Sequence, residues 1–65
     1  MSWFVYVIQS EIDGRLYKGM TQVIASRLVT HNRGKVTSTK AYRPWKLVYQ
    51  EECRDSIEAR ARKNI

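Results

Sequence analysis

The chain has very little that would hold it rigid by covalent or local means. Its 65 residues include one cysteine, one proline and three glycines. A single thiol excludes an internal disulfide and cannot alone form a thiolate metal centre. Cys53 therefore reads as a small apolar residue, and a reducing cytoplasm as the expected home. No apolar run approaches the ~20 residues that cross a bilayer, and no segment repeats. No helical stretch joins a broad apolar face to a basic one, which counts against a membrane partner. The opening MSWFVYVIQS lacks a basic region, and polar Gln9, Ser10 and Glu11 interrupt it, so it reads as a strand rather than a signal peptide. Acids are scarce too: six Asp and Glu stand against twelve Lys and Arg, a net charge of +6. That imbalance points to a polyanionic partner, nucleic acid first.

A domain of this length buries only about 60% of the surface its unfolded chain exposes, so its core has little margin. The apolar residues present, 43% of the chain with two Trp and four Tyr, are enough for one small core. Trp3 to Gln9 is aromatic and β-branched on both alternating faces, as in a strand covered on both sides. Asp13-Gly14 signals a tight hairpin, with Arg15 to Gly19 returning antiparallel. A two-residue turn would pair Ile12 with Arg15 and place Ser10 opposite Tyr17. Parity then sets Tyr6 and Tyr17 on one face. Thr21 reads as the cap of a helix from Gln22 to Asn32, and Gly34 as its terminator. Ile24 and Leu28 mark the buried stripe, with Arg27 and His31 on its flank. Lys35 to Arg43 is a basic, hydroxyl-rich connection. Pro44 ends it, and a third strand runs from Trp45 to about Glu51. Asp55 and Glu58 form a capping box before a last, short helix, SIEARARKNI. The expected fold is α+β, a small three-stranded antiparallel sheet flanked by helices in the order ββαβα, one domain over residues 1–65.

Several of these residues recur in a fixed order. Phe4-Val5-Tyr6 and Tyr17-Lys18-Gly19 carry tyrosines eleven residues apart; Arg27 follows ten residues later, and His31 one helical turn after that, within SRLVTHNRGK. With TSTKAYRPWKLVY, this set resembles the GIY-YIG nuclease superfamily from Trp3 to about Arg62, most closely its short stand-alone bacterial proteins. The resemblance implies hydrolysis of DNA phosphodiesters with one divalent ion, Mg²⁺ or Mn²⁺. The superfamily includes the incision domain of bacterial excision repair, homing and restriction endonucleases, and junction-resolving nucleases. Branched or damaged DNA is therefore among the implied partners.

By the same resemblance Tyr6 is the general-base candidate and Tyr17 its positioning partner. Arg27 brings a permanent charge and a planar fork suited to phosphate oxygens. His31 exchanges protons near neutral pH, which suits it to share the base role or assist the leaving group. Lys18 stands where the name-giving motif has isoleucine and points away from the tyrosines. Gly19 reads as a place of close backbone approach or a bend. Arg33, Lys35, Lys40 and Arg43 are the expected phosphate contacts, with Tyr42 and Trp45 as stacking surfaces for unpaired bases.

The metal ligand is the departure. The superfamily's glutamate on the last helix aligns with Lys63. Glu58, the other candidate, lies five residues earlier and so about 140° round the helix, and the capping box already uses it. No ligand is thereby identified. Two other readings follow: a non-catalytic nucleic-acid-binding module of the same fold, or a small basic protein on structured RNA in which the tyrosine–arginine–histidine spacing is incidental.

Overall fold

Trp3–Ser10 (β1) is the middle strand of a three-stranded antiparallel sheet, between Leu16–Thr21 (β2) and Trp45–Cys53 (β3). The helices are Ile24–Asn32 (α1) and Ser56–Lys63 (α2), with a short 3-10 turn at Lys40–Tyr42 before β3. The structure is a computed structural model that describes residues 2–63. The expected helix positions Asn64 and Ile65 lie outside the described residues, as does Met1. The order ββαβα and the α+β architecture are as the sequence predicts.

Because β1 is covered on both faces, its side chains serve two separate cores. Val5 packs with Cys53 and with Ala59 of α2, flanked by Trp3 and Met20. Tyr6 and Ile8 pack on the other face with Trp45, joined by Tyr17, Leu47 and by Ile24 and Leu28 of α1. Period-2 alternation thus feeds one helix from odd-numbered and the other from even-numbered positions of β1.

The hairpin differs from the predicted one. Ile8 pairs with Tyr17 and Gln9 with Leu16, two residues away from the expected register. The cause is Ser10. Its buried hydroxyl accepts hydrogen bonds from the backbone N–H groups of Ile12 and Asp13 at 3.1 and 3.4 Å, drawing the chain into a wider loop. Gly14 takes a left-handed conformation there (φ 79°), and Asp13 binds both the backbone and the guanidinium of Arg15. A slip of two leaves parity intact, so Tyr6 and Tyr17 still share a face.

Helix α1 also begins later than predicted. The Thr21 hydroxyl accepts from the Val23 N–H at 3.3 Å, and the helical residues start at Ile24. Its end follows expectation. Gly34, at φ 77°, donates to the His31 carbonyl while Lys35 donates to Thr30, the paired bonds of a Schellman ending. At the other helix Asp55 accepts the Glu58 N–H at 2.9 Å, and Glu58 reaches back to the Arg54 N–H rather than to that of Asp55. Strand β3 carries a bulge at Val48, since Val7 faces Tyr49 while Ile8 faces Leu47.

Candidate active site

The four residues singled out by spacing come together on the α1 face of the sheet. Tyr6 and Tyr17 arrive from adjacent strands, and Arg27 and His31 from successive turns of α1. His31 is fully buried, at 0% exposure, and Tyr6 is at 2%. The His31 ring meets Tyr6 and Tyr17 edge-on, at centroid distances of 5.9 and 5.1 Å. The Tyr6 hydroxyl is 2.9 Å from His31 Nε2, and His31 Nδ1 is 2.8 Å from the Thr39 hydroxyl. The Arg27 guanidinium lies close enough for its charge to act on both the Tyr6 hydroxyl and His31. Arg27 is half-buried, and its other side lines an open groove of about 430 Å³ with Trp3, Thr21, Ser26 and Thr30. It can therefore touch both the buried pair and an incoming anion.

Gly19 makes this arrangement possible. It pairs with Tyr6 across β1 and β2, and a methyl group at position 19 would overlap the Tyr6 ring and hydroxyl. Close approach, expected from the sequence, is its role here.

Burial sets the electrostatics. It pushes the Tyr6 hydroxyl above the usual tyrosine range, while the nearby Arg27 guanidinium opposes that rise. Burial also lowers the His31 pKa, with the Arg27 charge acting in the same direction. Both effects favour the neutral phenol and neutral imidazole in the free protein. Among the described residues no acid acts on either group.

The remaining predicted residues are placed as follows. Arg33, Lys35, Lys40 and Arg43 are all exposed. Arg43 folds back: its Nε donates to the Lys40 carbonyl at 2.8 Å, and its guanidinium covers Gly34. Trp45 is not a stacking surface. At 3% exposure its indole lies in the core and donates to the Thr39 carbonyl at 2.8 Å. Tyr42 is half-buried, with the Arg15 guanidinium 3.6 Å over its ring. Asn32, beside His31, clamps the Trp45 backbone, donating to its carbonyl and accepting its N–H at 3.1 and 2.7 Å. Lys18 faces away from the tyrosines, as expected, since it pairs with Val7. Cys53 is buried and its thiol pKa is raised by that burial, in keeping with an inert packing residue. Thr39 is the contact that sequence reading misses. It is one of three hydroxyl residues in a row, Thr37-Ser38-Thr39, with no periodicity to separate them.

The donor set for a divalent ion is poor. Mg²⁺ and Mn²⁺ take oxygen ligands, carboxylates above all, and among the described residues no group of three or more His, Cys, Asp or Glu could hold one. Glu58 is engaged at the start of α2, bound to the Arg54 N–H and 3.9 Å from its guanidinium. Lys63 lies one turn beyond Ala59, half-buried on the same stripe of that helix.

Comparison with known proteins decides the relationship. The profile of the GIY-YIG catalytic domain matches residues 2–63. The chain belongs to the GIY-YIG family. Its relatives include a UPF0213 protein of Desulfotalea psychrophila, 46% identical over 63 residues, which cover 94% of this chain and 56% of the relative. UPF0213 proteins of Staphylococcus epidermidis and Staphylococcus haemolyticus are each 42% identical, over 57 and 60 residues. Those stretches cover 86% and 91% of this chain, and 68% and 72% of the relatives. The GIY-YIG chain thus spans little more than half of the first of these proteins. No solved structure matches it. The family in general acts on nucleic acid and uses divalent metals. Among the described residues no helix is long and apolar enough to cross a membrane.

Proposed function

We propose that this GIY-YIG chain cleaves DNA phosphodiester bonds, with Tyr6, Tyr17, Arg27 and His31 as its catalytic group. The observation that carries the reading is the direct hydrogen bond between the buried Tyr6 hydroxyl and His31 Nε2, with the Arg27 charge acting on both groups. Packing alone would be served by phenylalanine at position 6. A phenol set between an imidazole and a guanidinium is instead equipped to take a proton from water.

In the proposed step a water oxygen bonds to phosphorus as the bond from phosphorus to the leaving oxygen breaks. The water proton passes to the Tyr6 oxygen as the Tyr6 proton passes to His31 Nε2. The leaving oxygen takes a proton from solvent, and His31 later returns its own. Arg27 holds the non-bridging oxygens through its fork, and Tyr17 orients the attacking water. Arg33, Lys35, Lys40 and Arg43 bind flanking phosphates without reading sequence. Branched or damaged DNA suits a surface that reads backbone rather than base order. Mg²⁺ or Mn²⁺ is the expected ion by family, but the residues present do not fit it, and no step above is routed through it.

One observation favours a second reading. Among the described residues no group of three or more His, Cys, Asp or Glu could hold a metal, and the resemblance sets Lys63 at the place of the metal-binding glutamate; both suit a module that binds nucleic acid without cutting it. Nicking of supercoiled plasmid and a branched DNA, with Mg²⁺ or Mn²⁺ against EDTA, separates the two. Metal-dependent cleavage lost in Arg27→Ala supports the nuclease. Absence of cleavage by the wild type, restored by Lys63→Glu, supports the binding module.

A further inference from the structure

We propose that Thr39 is a positioning residue of this site: its hydroxyl holds His31 in the tautomer protonated at Nδ1 and so keeps Nε2 free to accept the Tyr6 proton. The functional consequence rests on the reading of Tyr6 and His31 given above, whereas the tautomer does not.

Donors and acceptors must match along a chain of four groups. Arg27 stands at one end, its charge close enough to act on the Tyr6 hydroxyl, and a guanidinium has donors only. The Tyr6 proton therefore cannot be given to Arg27. Tyr6 is 2% exposed, and the acceptor within reach of its hydroxyl is His31 Nε2 at 2.9 Å. Nε2 must then lack a proton, which places the imidazole hydrogen on Nδ1. Nδ1 donates to Thr39 Oγ1 at 2.8 Å, and the Thr39 proton goes on to the Val36 carbonyl at 3.4 Å. Every donor has an acceptor in this direction. In the reverse direction Thr39 would donate to Nδ1 and Nε2–H to Tyr6, leaving the Tyr6 proton facing a guanidinium. A buried donor orphaned in this way is costly.

Thr39 is fixed for the task. It is 0% exposed; its backbone N–H donates to Val36 and its carbonyl accepts the Trp45 indole N–H. Trp45 is in turn clamped by Asn32, the residue after His31, so the connection that carries the hydroxyl is tied back to the helix that carries the ring. The hydroxyl neither gains nor loses a proton when Tyr6 transfers its own to Nε2. It acts on the ring's orientation and tautomer alone.

The test is nitrogen NMR of the single histidine ring in the full chain at neutral pH, with cleavage measured in parallel. Wild type and Thr39→Ser are expected to show a protonated Nδ1 and a bare Nε2. Thr39→Val, of similar shape without the hydroxyl, is expected to shift the ring toward the Nε2-protonated form. The Val variant should also lower kcat by about 100-fold or more with little change in KM, near the low end of what general-base geometry contributes, and Ser should restore it. A wild-type ring protonated at Nε2 overturns the proposal, as does a Val variant whose tautomer is unchanged. The wild-type spectrum decides the tautomer even if the Val variant does not fold. If wild type cuts nothing while the tautomers behave as expected, the nuclease reading fails and Thr39 still holds the ring.

Discussion

The two faces of the sheet are built from the same strand and differ in kind. On the α2 side, Val5, Cys53 and Ala59 make a dry, uniformly small core. On the α1 side the core contains Tyr6, Trp45, His31 and Thr39, and each of their buried polar atoms has a partner. A 65-residue chain has little apolar surface to spare, and burying polar groups costs free energy unless they are bonded. One face therefore contributes packing, and the other accepts a stability cost in return for a preorganised network.

Four measurements test this contrast. Tyr6→Phe should reduce cleavage by about 10²–10⁴-fold, the range for loss of a general base, while circular dichroism shows the fold retained. An active Phe variant would remove the α1 face from the chemistry. Gly19→Ala should come next, costing about 1–3 kcal/mol in urea unfolding as the Tyr6 ring is displaced, with cleavage lost alongside. Acid should act through the α1 face. The folded-state pKa of His31 is depressed, so its stabilisation is complete above about pH 6.5 and declines as pH falls toward the folded value. Denaturation midpoints should drop as pH falls below about 6.5 in wild type and be flatter in His31→Gln. The smallest effect is expected on the α2 side. Cys53→Ala should lose about 1 kcal/mol of stability and leave cleavage per folded molecule unchanged; a change in rate would mean that the faces are not independent.

Much of this contrast was legible before any coordinates. Alternation along Trp3–Ser10 separated the faces, Gly34 marked the end of α1, and the spacing of Tyr6, Tyr17, Arg27 and His31 gathered the site. Parity survived an error in register because the hairpin slipped by two residues rather than one. What escaped was the work of side chains on backbone. Nothing in the sequence said that Ser10 would capture two N–H groups and widen the turn, or that Thr21 would delay the helix. Trp45 looked like a surface for bases because it follows an exposed, basic connection. Its burial depends on Asn32 and Thr39, partners thirteen and six residues away that no local pattern links.

The bulge at Val48 has a consequence for how these molecules behave in a crowd. Strand β3 is an outer strand of the sheet, and Val48 and Tyr49 are 46% and 51% exposed on it. A flat outer strand with such side chains would template the addition of another chain, the first step toward fibrils. The extra residue between Leu47 and Tyr49 interrupts that template near its middle and increases the local twist. The irregularity shortens the run over which a foreign strand could zip on, and so favours solubility in a chain that carries half-open apolar surface at its rim.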